Sequence, residues 1–196
     1  MWEQRYSVDE YVYGTEPNGF LSEHVVDLPV GDVLCIAEGE GRNAVFLAGT
    51  GRRVSSVDLT EAGVAKTLRL ADAAGVSVDA VVADLADYDL GVGRWDAIVS
   101  IFAHMPSTVR IDLHRRVVAA LRPGGVVLLE AYTPDQIGRG TGGPGAADLM
   151  MTIEGLKSEL DPLEFVHAEE LEREIVEGVH HTGIGSVVQV IARKQQ

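Results

Sequence analysis

The chain has 196 residues, enough for one α/β domain and too few for two of ordinary size. With 30 acidic against 16 basic side chains, the net charge is −14, which repels nucleic acid and anionic membrane surfaces. The single cysteine excludes an internal disulfide, no apolar run approaches the length of a membrane span, and Met1–Arg5 is no signal peptide, so a cytoplasmic protein is expected.

Residues 1–28 precede the first strand and hold Trp2, Tyr6, Tyr11, Tyr13 and Phe20, more than their share of the aromatics. Gly14–Gly19 is turn chemistry, and a helix is expected from about Phe20 to Asp27. Apolar runs then alternate with helical patterns. Strands are expected at Val33–Ala37, Val54–Val57, Val78–Val82, Asp96–Ile101 and Val126–Ala131. Helices are expected from Arg42 to Gly49, from a Thr60 cap to about Ala74, and from Pro106 or Ser107 to about Leu121. Residues 138–147 hold five glycines and one proline, a mobile loop by composition. Ile153–Leu160 reads as a short helix. Glu164–Glu177 fits either a helix, through Leu171 and Ile175, or a long edge strand. Ser186–Arg193 reads as the last strand. Strands alternating with helices imply a mostly parallel sheet, covered on both faces, in a single domain over residues 1–196.

In such sheets ligands sit beyond the carboxyl ends of the strands. Four candidate sites fall there. The first is the turn Ala37-Glu38-Gly39-Glu40-Gly41, followed by Asn43 at a helix start. Gly39-x-Gly41-x-x-Ala44 fits a dinucleotide fingerprint, but a pyrophosphate would face two carboxylates. The loop suits a cationic nucleoside such as S-adenosylmethionine. The second is Asp58, with Leu59 beside it, placed to accept hydrogen bonds from ribose hydroxyls or to cap the helix at Thr60. The third is Asp84, placed to accept from an adenine amino group while Leu85 packs on the ring, or else a solvated loop acid. The fourth is Ser100-Ile101-Phe102-Ala103-His104, which would pass the methyl donor and open an acceptor pocket. Phe102 also suits the core. His104 suits a base or a local hydrogen bond. His180 and His181 are adjacent and cannot chelate together on a strand, so no metal is expected; one of them can line the acceptor pocket with Glu130 or Tyr132. The Glu169–Glu177 charges suit a solvated face, and Cys35 a small buried apolar residue.

The order and spacing of these motifs resemble the class I S-adenosylmethionine-dependent methyltransferases. The chain is most similar to the small bacterial branch near the tellurite-resistance (TehB-like) and thiopurine methyltransferases. The Gly-rich turn with Arg42-Asn43, Asp58, Asp84 and Leu121-Arg122-Pro123-Gly124-Gly125 carry the resemblance. So do Trp2-x-x-Arg5-Tyr6, Tyr13–Asn18, Glu130, Thr141–Pro144 and Glu177-Gly178 with His181. The resemblance implies a Rossmann-like seven-stranded sheet with its last strand antiparallel, S-adenosylmethionine as cofactor and S-adenosylhomocysteine as product. Cys35 stands where the family commonly has an acid, and Ala37 where it has its first glycine, leaving Glu38 or Glu40 to hold the cofactor's amino group. The family's Asn-Pro-Pro-Tyr-like signature for amino-methylation is absent after Ser100. With the acidic balance, that points to a small-molecule acceptor.

Methyl transfer from a sulfonium needs mainly positioning and desolvation. A thiol, thiopurine or chalcogen oxyanion would need little base catalysis. An oxygen or carbon acceptor would need a base, with His104 first and Glu130 and Tyr132 behind it. Tyr11, Tyr13 and the Gly138–Gly145 loop are expected to close over the site. Two rival readings are a nicotinamide-dependent oxidoreductase, which explains Gly39, Gly41 and Asp58 alone, and a non-catalytic nucleoside-binding sensor.

Overall fold

A computed structural model describes residues 1–178 and 181–196. Short helices α1 (Trp2–Tyr6) and α2 (Gly19–Glu23) precede strand β1 (Asp32–Ile36), helix α3 (Arg42–Gly49), β2 (Arg53–Asp58) and α4 (Glu61–Ala74). Then come β3 (Val78–Val82), β4 (Trp95–Ile101), α5 (Ser107–Ala120), β5 (Leu121–Tyr132), α6 (Ile153–Glu159), β6 (Glu164–Val176) and β7 (Thr182–Arg193). The seven strands form one sheet in the order β3-β2-β1-β4-β5-β7-β6. The first five strands pair in parallel, and β7 runs antiparallel to both β5 and β6. This is the class I methyltransferase fold.

Alternation along each strand divides the core. Leu34 and Ile36 of β1 join Ile98, Val127 and Leu129 under α5 and α6. Val33 and Cys35 join Val54, Ala97, Val99 and Leu128 under α2 and α3. Cys35 is fully buried, and its burial pushes the thiol well up, so it packs as a small apolar residue. Local chemistry explains the boundaries. Thr60 caps α4 by accepting from the Gly63 amide at 3.2 Å, and Asn18 caps α2 by accepting from Leu21 at 3.0 Å.

Three expectations are refined. The Phe20–Asp27 helix is α2 followed by a separate 3₁₀ turn over Val25–Asp27. Residues 121–125, expected as helix end and turn, continue into β5 with a register shift opposite Trp95 and Ala97. The ambiguous Glu164–Glu177 segment is a strand, β6, at the sheet edge.

Strand order reverses between β1 and β4, neighbours at the centre of the sheet. The loops leaving these two strands diverge, opening a crevice at their carboxyl ends. The residue that follows each strand is a non-glycine in the left-handed region: Ala37 at φ +49° and Phe102 at φ +52°. That conformation costs an L-residue roughly 1–2 kcal/mol and clusters at ligand sites.

Candidate active site

The crevice holds a cavity of about 490 Å³, within the range that takes a small ligand. Its floor is the turn after β1. Ala37, Gly39 at φ +68° and Gly41 at φ +94° fold the chain back sharply into α3. Gly41 admits no side chain, since a Cβ there would lie 2.6 Å from the Thr67 Cα of α4.

The two glutamates of this turn do different things. Oε1 of Glu38 accepts from the amides of Asn43 at 2.9 Å and Ala44 at 2.8 Å. The chain's own carboxylate therefore occupies the first turn of α3, the place where a pyrophosphate would dock. Oε2 takes part in neither bond, and Glu38 lines the cavity. Burial pushes its carboxyl up to about 7, against the two amides and the nearby Arg42. Glu40 instead receives Lys66 Nζ at 2.7 Å and the amides of Val12 and Tyr13 at 3.2 and 3.1 Å. It ties the N-terminal segment to α4. Asn43, also in the cavity wall, accepts the Asn18 amide at 2.9 Å.

Asp58 is buried behind the turn. Its Oδ2 accepts from Gly39 at 2.8 Å, and its Oδ1 accepts from the Thr60 amide and hydroxyl at 3.0 and 2.6 Å. It braces the Gly turn as well as the helix start. Leu59 is 60% exposed beside it. Asp84 is exposed, with Oδ1 accepting from the Ala86 amide at 2.9 Å, and Leu85 is buried in the core under α5. The Ala83 amide donates to the Asp58 carbonyl at 2.9 Å, so the two acids sit on adjoining strand ends. Neither Asp58 nor Asp84 lines the cavity.

The other wall is aromatic. Phe102 stacks on Tyr132 with centroids 4.7 Å apart, and His104 stacks on Tyr132 at 5.6 Å. His181 meets Phe102 at 4.9 Å, Tyr132 at 5.5 Å and Tyr13 at 4.6 Å. Ile101 and Gly142–Gly145 of the glycine-rich loop complete this side, while Ser100 is buried away from the cavity. His104 lies within 2.8 Å of the Leu149 carbonyl at Nδ1 and accepts the Tyr132 amide at Nε2, 3.3 Å away. These partners fix the Nδ1–H tautomer and engage both nitrogens. Burial lowers the imidazole to about 4. Burial also lowers His181 to about 4, but its Nδ1 has no hydrogen-bond partner among the described residues. Tyr132 is fully buried, its hydroxyl likewise unpartnered, and burial pushes the phenol up. His180 lies outside the described residues.

Glu130 is not brought to the cavity. Its Oε1 accepts from Arg173 Nε at 2.6 Å and Gln189 at 2.8 Å, and its Oε2 from Arg173 Nη2 at 2.7 Å and Asn18 at 2.5 Å. With these four bonds made and no exposure, it has no oxygen left to face a substrate. Glu177 belongs to the same network rather than to a solvated face. It pairs with Arg42 at 2.5 Å and Arg173 at 2.9 Å and accepts from Asn18 at 2.9 Å. Burial raises its carboxyl, but the two guanidiniums outweigh that and hold it down. Asn18 spends both amide protons here, so the network joins the N-terminal segment, α3, β5, β6 and β7.

The N-terminal side of the cavity is Met1, Trp2, Arg5 and Tyr6, which sequence reasoning placed in an N-terminal lid segment over residues 1–28 without naming them as site residues. The Tyr6 hydroxyl comes within 2.7 Å of where a Gly39 Cβ would stand. Arg5 lies over the Trp2 ring at 4.6 Å and donates to the Tyr13 hydroxyl at 2.7 Å. The excess of aromatics before β1 was the available signal.

Residues 33–125, just under half of the chain, match the methyltransferase domain family. No curated protein matches the chain in sequence. Among solved structures, TehB from Haemophilus influenzae is 18% identical, covering 99% of this chain and 66% of its own, with a TM-score of 0.75. The N-methyltransferase NodS from Bradyrhizobium japonicum WM9, solved with S-adenosyl-L-homocysteine, is 15% identical over 100% of this chain and 97% of its own, with a TM-score of 0.72. The [4+2]-cyclase SpnF shares the fold at 16% identity over 90% of this chain and 78% of its own, with a TM-score of 0.68. The domain match over residues 33–125 and the shared fold over the whole chain make the protein similar to the class I S-adenosylmethionine-dependent methyltransferases.

Proposed function

We propose that this enzyme methylates a small molecule through a soft or already ionised nucleophile: a thiol, a thiopurine or a chalcogen oxyanion. One observation carries the reading. Among the described residues, the groups facing the aromatic side of the cavity offer no base suited to a hydroxyl or a carbon acid. His104 has both nitrogens engaged, and both His104 and His181 are lowered to about 4. A base that weak cannot drive deprotonation of a poor acid. Glu130 is sealed in its ion-pair network. The acceptor therefore brings its own lone pair, and the protein supplies alignment and the exclusion of water.

The acidic turn argues against a nicotinamide cofactor, because Glu38 fills the helix start that a pyrophosphate would need. Asp58 and Asp84, on adjoining strand ends, are the proposed partners of ribose and adenine. Calorimetric titration with S-adenosylhomocysteine, with NADH as control, tests the cofactor; binding of the former, weakened in Asp58→Asn, is expected. Turnover is then screened with thiols and chalcogen oxyanions beside alcohols and carbon acids. Faster turnover of an alcohol, or loss of thiol turnover in His104→Ala with cofactor binding intact, sinks the soft-acceptor reading. Cofactor binding with no transfer to any acceptor would move the protein toward another chemistry on this fold.

A further inference from the structure

We infer that Arg110 is a positioning residue for the acceptor side of the cavity. From α5 it holds the backbone on both sides of Leu149, sets that side chain against the acceptor, and fixes which nitrogen of His104 carries the proton. The inference rests on the aromatic side of the cavity being where the acceptor binds.

Residues 148–150 follow the glycine-rich loop, and their three carbonyls go to two partners. Those of Asp148 and Met150 accept from Arg110 Nη1 at 3.0 and 3.2 Å. The carbonyl between them, on Leu149, lies 2.8 Å from His104 Nδ1, and Leu149 itself lines the cavity. Glu159 of α6 aims the guanidinium, accepting from its Nη2 at 2.9 Å and its Nε at 3.1 Å. His114, one turn further along α5, lies 2.7 Å from Glu159 Oε2. Arg110 and His114 are both buried. On the exposed side the Asp148 carboxylate accepts from the Ser107 amide at 3.1 Å and hydroxyl at 2.5 Å, at the first turn of α5. The start of α5 thus grips the segment on either side of Leu149.

An ion pair joining two helices would need only the contact between Arg110 and Glu159. Here Nη1 reaches past that pair to two backbone carbonyls, a task for a planar fork with several donors and not for a point charge. With its neighbours held, the Leu149 carbonyl is left facing His104. It requires a hydrogen on Nδ1, which leaves Nε2 to accept the Tyr132 amide at 3.3 Å. The place of Leu149 and the tautomer of His104 are therefore one setting. It is made from outside the cavity, by a residue that does not line it.

Arg110→Lys separates an ion-pair role from a positioning role, because lysine keeps a cation for Glu159 and loses the fork. Nuclear magnetic resonance on isotope-labelled histidine reads the tautomer of each ring, with His104→Gln to assign the signal. The unmodified protein is expected to hold the His104 proton on Nδ1 alone, and Arg110→Lys to show mixed tautomers. With thiophenol as the acceptor probe, KM should rise about tenfold in Arg110→Lys, the scale of one hydrogen bond to a charged group, while kcat falls less and S-adenosylhomocysteine affinity is kept. Asp148→Asn loosens the same segment from its exposed side and leaves the buried pair alone; it should move both readouts the same way by less. A His104 signal in Arg110→Lys identical to that of the unmodified protein overturns the inference and leaves the soft-acceptor reading standing. Mixed tautomers with an unchanged thiophenol KM overturn the assignment of this side to the acceptor, and the inference with it. Affinity for S-adenosylhomocysteine falling in step with the rise in KM also overturns it, since the segment would then serve the whole cavity.

Discussion

The two sides of the cavity are built by opposite means. The turn after β1 is a backbone device: Ala37, Gly39 and Gly41 in left-handed conformations, and amides collected by Glu38 and Asp58. The side reached from β4, β5 and the β6–β7 hairpin is a side-chain device, with stacked rings in front and a sealed Glu130–Arg173–Glu177–Arg42 network behind. Backbone devices depend on a few local positions. Side-chain devices need partners from distant strands, and they can change the acceptor while the cofactor stays the same. The domain family match ends at residue 125, so it takes in Phe102 and Arg42 but none of Glu130, Tyr132, Arg173 and Glu177.

If this division is right, damage to the ring-and-network side should appear first as lost stability. Glu130→Ala strands the half-buried Arg173 and leaves Asn18 and Gln189 without an acceptor, and should cost about 3 kcal/mol, read by thermal or denaturant unfolding. An unfolding midpoint unchanged from the unmodified protein would mean the network is not holding this half together. Damage to the turn should appear instead in cofactor affinity and its pH dependence. Glu38 is raised to about 7 by burial, so its proton must leave before it can face an ammonium. Affinity for S-adenosylhomocysteine should fall by up to about tenfold per pH unit below 7, and Glu38→Gln should flatten that slope. For the ligand-free protein the sign reverses. The folded state holds this proton more tightly than the unfolded chain, so Glu38 lowers stability as pH rises from the usual carboxylate range through 7. A pH-independent affinity in the unmodified protein would remove Glu38 from the ammonium site. The smallest effect concerns strain alone. Ala37→Gly should gain about 0.5–1 kcal/mol in stability by relieving its positive φ. A loss would show that the alanine methyl packs usefully in the turn.

The same division governed what could be read from the sequence. β1 to β4 and the helices between them fall within a residue or so of expectation, because continuous apolar strands, the Thr60 cap and the glycine turn are local signals. β6 was ambiguous because Leu171 and Ile175 satisfy a helical spacing, while the half-buried positions Phe165, His167, Leu171 and Arg173 follow the period of a strand. Glu130 looked like a base for a comparable reason. An acid near the carboxyl end of a strand reads alike whether it faces a ligand or a guanidinium 43 residues away. Arg5 lay outside the strand-helix alternation, so no periodicity pointed to it.

The exposed edge strand β6 has a consequence for handling the protein. Five of its 13 residues are glutamates, and Val166 and Val176 lie uncovered among them at 54% and 73% exposure. At neutral pH that row of like charges deters a strand from another molecule from pairing along the open edge. The protection is proton-sensitive. Near the isoelectric point of about 4.7 the charges and the overall repulsion fade together, and the same edge becomes a template for aggregation.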